Sequence, residues 1–124
     1  MKNLIEIITD VSCISSYTNH EDLLHPYIEN FLNEFVPNHT MTKINGGLVI
    51  EVPGSLATEP IAIAAHLDKI DHDKIPMFSD FSLCYEENDD SIIGHLYDSV
   101  GVGMCLYLAA WAQENVTPPL LLLS

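Results

Sequence analysis

The chain contains no arginine and only four lysines, against 18 aspartates and glutamates, for a formal net charge of −14 over 124 residues. A nucleic-acid binder needs a cationic stripe to displace counterions from phosphate, and there is nothing here to build one from. Anionic membrane surfaces are disfavoured on the same ground. Long apolar runs are also scarce. The longest, Val100 to Ala112, falls short of the ~20 residues a membrane-spanning helix requires. The opening Leu4-Ile5-Glu6-Ile7-Ile8-Thr9-Asp10 places carboxylates where a signal peptide needs an unbroken apolar core. Cysteine is sparse and unpatterned: Cys13, Cys84 and Cys105 form no CxxC pair. Such a set reads as reduced thiols filling the core of a cytoplasmic protein.

What the chain does have is apolar content: 48% of residues are hydrophobic and mean hydropathy is +0.18. That is too much for a disordered acidic tail and enough to bury a core. No repeat, low-complexity tract or linker divides the chain, so residues 1–124 are expected to form a single domain.

Leu4, Ile5, Ile8 and Val11 recur at helical spacing and predict a first amphipathic helix ending near Ser12 to Ser16. Leu23, Leu24, Tyr27, Ile28, Phe31, Leu32 and Phe35 form the apolar stripe of a second. Thr18-x-x-Glu21 has the form of a capping box for it, but Pro26 would then fall in its second turn. Either the helix kinks there or it begins at Pro26.

The period then changes. Residues 39–44 and 48–52 flank Asn45-Gly46-Gly47, a connection suited to an antiparallel hairpin. Ile61 to Ala65 reads as a buried strand delivering His66 into a polar loop. Two further short strands are expected over 81–86 and 91–94, around Asn88-Asp89-Asp90. Val100 to Gln113, apolar nearly all round, reads as a helix covered on both sides, and Leu120 to Leu123 as another buried strand. The order predicts an α/β fold with a mixed sheet, an antiparallel hairpin beside parallel central strands, and chemistry at the carboxyl ends of those strands.

Two segments meet that rule. In Ala64-Ala65-His66-Leu67-Asp68, residues 66 and 68 point the same way from an extended chain, so an imidazole and a carboxylate reach one site. Imidazole is a good zinc ligand and a carboxylate beside it orients it, though a His and Asp so spaced also serve as an ordinary loop pair. In Gly94-His95-Leu96-Tyr97-Asp98-Ser99-Val100-Gly101, an acid stands at the entry to a helix. Its two oxygens suit it to bridging metal ions, and equally to an N-cap. His95 is a weaker ligand candidate, and Asp71-His72-Asp73 reads as a solvated loop. His20, His25 and His39 carry no spacing signal.

In their order along the chain, these segments resemble the amino-terminal half of the di-zinc exopeptidases and amidohydrolases, the superfamily of glutamyl and tetrahedral aminopeptidases, aminoacylases and glutamate carboxypeptidases. The resemblance runs from the opening helix and Ser12 to Ser16, through the hairpin and the strand closing in His66-Leu67-Asp68, to Tyr97-Asp98-Ser99-Val100-Gly101. It implies a three-layer α/β/α catalytic fold, present in truncated form. His66 would be a ligand to one zinc, Asp98 a carboxylate shared by two, and Asp68 the catalytic acid that orients or polarises the site. In the complete family, two zincs activate a water to hydrolyse a peptide or N-acyl amide bond, with peptides or N-acyl amino acids as substrates. Ser99 and Val100 stand where many relatives carry a second Asp and a Lys or Arg, and Leu96 where a second glycine is common.

The resemblance also implies absences. The family's general-base glutamate follows the strand that here is Pro119 to Leu123, and the chain stops at Ser124. A catalytic zinc normally takes three protein ligands, so the expectation is a zinc peptidase-like piece that binds zinc weakly and is inactive alone. An alternative is a non-catalytic interaction or dimerisation module on the same fold. A homo-oligomer formed through an exposed sheet edge fits either reading. A phosphoacceptor receiver domain fits poorly, because Asp89-Asp90 comes late and no lysine follows Lys74.

Overall fold

A computed structural model describes residues 2–14, 16, 19–68, 84–86, 91–93 and 96–124. Helix α1 spans Leu4–Ser12, with Asn3 as its N-cap: Glu6 N–H donates to Asn3 Oδ1 at 2.9 Å. Ile7, Ile8 and Val11 carry its buried face; of the stripe read from the spacing, Ile8 and Val11 are buried, Leu4 is half-buried and Ile5 is exposed, because the face turned to the core is centred on Ile7. A 3₁₀ turn over Glu21–Leu24 leads into α2, His25–Phe35. Pro26 sits in the first turn of α2, where its missing N–H has no helical acceptor to disappoint, so the helix starts there without a kink. Thr18, the other half of the expected capping box, lies outside the described residues.

Strands β1 (Thr40–Ile44) and β2 (Gly47–Val52) pair antiparallel in a register that sets Ile44 opposite Gly47. The two-residue loop between them, Asn45-Gly46, has positive φ at both positions, 49° and 84°, as a type I′ turn demands. Then come β3 (Ile61–Ala64), an antiparallel pair β4 (Cys84–Glu86) and β5 (Ser91–Ile93), α3 (Ser99–Ala112) and β6 (Leu120–Leu123). The larger sheet has the order β1-β2-β6-β3, with β6 antiparallel to β2 and parallel to β3. The α/β class and the mixed sheet are thus as expected.

Leu48, Ile50 and Val52 of β2 and Leu120 and Leu122 of β6 point to one face, where they meet Ile7, Val11, Leu24, Ile28, Leu32, Val102 and Leu106 from the helices. Burying each such side chain contributes ~1.5–3 kcal/mol, so this face holds the fold. On the opposite face, Val49, Leu121 and Leu123 are half-buried and Glu51, Ala62 and Ala64 exposed. The described helices therefore form one layer, on one face of the sheet; a second helical layer is not made by the described residues.

Two elements are less covered than their composition predicts. β3 lies at the sheet edge among the described residues, with Ile61 49% exposed, because β6, last in the chain, takes the position between it and β2. α3 buries Val102, Gly103, Leu106, Ala109 and Ala110 but exposes Met104 and Trp111, since α1 and the sheet occupy only one side of it. Cys13 is exposed, not core filler, while Cys105 packs partly buried against the core; both are free thiols. No helix among the described residues is long and apolar enough to cross a membrane.

Candidate functional site

The parallel pair β3 and β6 ends on the same side, and α3 begins there. The β3–β6 ladder runs on past the strand proper, with Ala65 N–H donating to Leu123 O at 3.0 Å. The chain then leaves the sheet at His66. Ala64, Ala65, His66, Asp98, Leu123 and Ser124 line one open depression of about 500 Å³ at these carboxyl ends. His66 and Asp98, distant in sequence, thus share a surface at the place where α/β sheets put their chemistry.

His66 is held from one side. Its Nδ1 lies 3.0 Å from the backbone oxygen of Asp68 and 3.0 Å from Asp68 Oδ1. Both partners are acceptors, so in the neutral ring Nδ1 carries the proton and Nε2 keeps its lone pair. That is the tautomer a metal-binding imidazole needs when a carboxylate orients it. Tyr97 packs edge-on against the ring, centroids 4.5 Å apart, although it is itself 77% exposed. Asp68 stands behind the imidazole and lines a neighbouring polar depression with Glu21, Asn45, Gly46 and Ser124.

Asp98 caps α3. Its Oδ1 accepts from Gly101 N–H at 3.1 Å, and its own carbonyl accepts from Val102 N–H at 2.9 Å. The peptide bond between Tyr97 and Asp98 is cis. The ordinary N-cap role is therefore filled by one carboxylate oxygen, and Oδ2 has no partner among the described residues. Burial, and then the Asp98 charge, push the nearby Cys105 thiol up, which leaves it protonated and a poor nucleophile at neutral pH.

A donor set of imidazole nitrogen and carboxylate oxygen suits zinc chemically. Two donors fit as part of such a centre, and among the described residues no group of three or more His, Cys, Asp or Glu comes together to complete it. His95 and Asp71-His72-Asp73 lie outside the described residues. Two buried polar groups carried no signal in the sequence. His25 Nε2 meets Gly46 O at 2.9 Å, tying the start of α2 to the hairpin turn. Ser16, fully buried, donates from Oγ to Leu67 O at 2.8 Å. Partners so far apart in the chain leave no local pattern to read.

A hairpin beside a parallel pair, a late strand inserted at the centre, and acidic and imidazole side chains at the carboxyl ends together define an α/β fold, and it is one that solved exopeptidase structures share. A tripeptidase from Staphylococcus aureus subsp. aureus Mu50 matches 97% of this chain with a TM-score of 0.73 and 13% identity. An aminoacylhistidine dipeptidase from Vibrio alginolyticus matches 97% with 0.74 and 19%, and the aminopeptidase PepT from Bacillus cereus 97% with 0.73 and 10%. At these identities the likeness is one of fold. The chain spans 35%, 26% and 35% of the length of those three structures. Neither a family model nor a curated protein sequence matches it.

Proposed function

We propose that this chain carries one share of a zinc peptidase-like hydrolase site, with His66 and Asp98 as metal donors and Asp68 as the acid that orients His66. The observation that carries this reading is the common depression at the ends of β3 and β6, lined both by an imidazole with its Nε2 lone pair available and by a carboxylate whose second oxygen has no partner among the described residues. Peptidases among the structures of the same fold support a peptide as the substrate class. Bound zinc would supply a Lewis acid for the amide carbonyl and lower the pKa of a water. Asp68 holds the ring tautomer, Tyr97 limits how the ring tips, and α3 fixes Asp98 through its cap.

The two donors among the described residues fall short of the three protein ligands that a catalytic zinc takes. On this reading the chain by itself binds zinc weakly and does not hydrolyse peptides. Calorimetric titration of the chain with zinc, beside His66→Ala and Asp98→Asn, tests it. Weak binding lost in both variants, with no peptide hydrolysis, is expected. Two zincs held tightly by the single chain, or binding indifferent to both substitutions, would overturn it.

A second reading, a non-catalytic interaction module, is favoured by apolar residues of the sheet that the described residues leave partly exposed. Ile61 and Ala62 are exposed at the β3 edge, and Val49, Leu121 and Leu123 are half-buried. Edge strands and apolar faces of this kind promote pairing. Light scattering at micromolar concentration tests the module: a dimer that persists in Asp98→Asn is expected of it, and a monomer counts against it.

A further inference from the structure

We propose that Ser16 is a positioning residue for His66, acting through the carbonyl of Leu67; this rests on reading His66 as a metal donor. The β3–β6 ladder secures the backbone as far as Ala65, through its bond to Leu123 O. Past that point the segment from His66 to Asp68 lies outside the strand. Ser16 reaches it from the connection that follows α1, 51 residues away, and its fully buried Oγ donates to Leu67 O at 2.8 Å.

The position of that bond gives it leverage. Leu67 is buried, its side chain packed into the core among Ile28, Leu48 and Leu106. Its carbonyl belongs to the peptide plane that joins it to Asp68. Fixing both the side chain and the carbonyl of the middle residue fixes the planes on either side, because the backbone has only two soft dihedrals per residue. Those planes set how His66 and Asp68 face each other. The Nδ1 of His66 meets Asp68 at both the backbone oxygen and Oδ1, so a rotated 67–68 peptide would break both contacts at once. Without them neither ring nitrogen is favoured for the proton, and Nε2 is no longer held ready for a metal.

A merely structural hydroxyl would act differently, and Ser12 provides the comparison. It is also fully buried, but its Oγ donates to Thr9 O within its own helix at 3.1 Å. The experiment compares Ser16→Ala, Ser16→Thr and Ser12→Ala in the full chain by three measurements. These are thermal unfolding, long-range nitrogen–proton NMR of the His66 ring at one alkaline pH, and titration with cobalt(II) followed by absorption.

Both alanine variants are expected to lose stability. Only Ser16→Ala should shift His66 from a single Nδ1–H form to a mixture of tautomers and weaken cobalt binding by about 10-fold, the lower end for loss of a group that orients a ligand. Ser16→Thr, which keeps the hydroxyl, should restore the single tautomer. If Ser16→Ala does not fold, Ser16→Cys, a weaker donor of similar size, takes its place in the same comparison. A wild-type tautomer in the folded variant that lacks the serine hydroxyl overturns the proposal. His66→Ala keeps the two questions apart: cobalt binding unchanged by that substitution defeats the metal reading, while the tautomer measurement judges Ser16 alone.

Discussion

Gly103 of α3 lies directly against Ile8 of α1: a Cβ on the glycine would stand 2.7 Å from Ile8 Cγ1 and 3.4 Å from its Cα. The two helices meet at this point because one of them carries no side chain there. With Ile7 and Val11 fully buried nearby in the same core, Ile8 has little room to withdraw.

Gly103→Ala is therefore expected to destabilise the chain. Overpacking costs ~1–3 kcal/mol, against a gain of about 1 kcal/mol in helix propensity, for a net loss on the order of 1 kcal/mol. Urea unfolding measures it. The double variant with Ile8→Ala should recover part of the loss relative to Ile8→Ala alone, and strict additivity would show that the two side chains do not compete.

The hairpin turn predicts a second loss. Gly46 has φ of 84°, where an L side chain is strained, and Gly46→Ala should cost about 1–2 kcal/mol. The same turn presents the Gly46 carbonyl to buried His25. A shift in the urea midpoint with an unchanged slope is the expected result; an unshifted midpoint would show that the turn relaxes freely.

A third concerns alkaline pH. Tyr27 Oη donates to Asp10 at 3.0 Å, and Lys2 pairs with the same carboxylate. Burial, and then the bond to Asp10, raise the Tyr27 phenol above its ordinary 10.0. The native state thus keeps a proton that the unfolded chain gives up. The associated stability is complete below pH 10.0 and declines as pH rises past it toward the folded value. The Lys2 ammonium, raised chiefly by its hydrogen bond to Asp10, declines in the same direction. Tyr27→Phe should flatten the alkaline fall in denaturant midpoint without abolishing it, and an identical fall would refute the phenol's part.

The sites differ in how much of them the chain reveals locally. His66 and Asp98 are legible because each stands where a period ends, one at the close of an apolar strand and one at the opening of an apolar helix. The contact between Asp68 and His66 is legible from their two-residue spacing. Ser16 and His25 are not, since their partners are Leu67 and Gly46 and no short-range pattern joins them. Pro26 marked a conflict in the sequence that only packing resolved: a 3₁₀ turn carries Leu24 into the core, and the helix proper starts at His25.

By itself, the sequence determined the local elements: that α1 is a helix, the Asn45-Gly46 turn, the apolar helix α3 and the leucine run of β6, each dictated by side-chain period and turn chemistry within a few residues. Its charge also argues against nucleic acid as a partner. The tertiary structure decided the rest. Insertion of β6 between β2 and β3 left Ile61 exposed at the edge of the sheet among the described residues, and it set His66 and Asp98 around one depression. Strand order and the meeting of distant loops depend on which apolar faces bury one another, and the period of a single segment does not encode its neighbour.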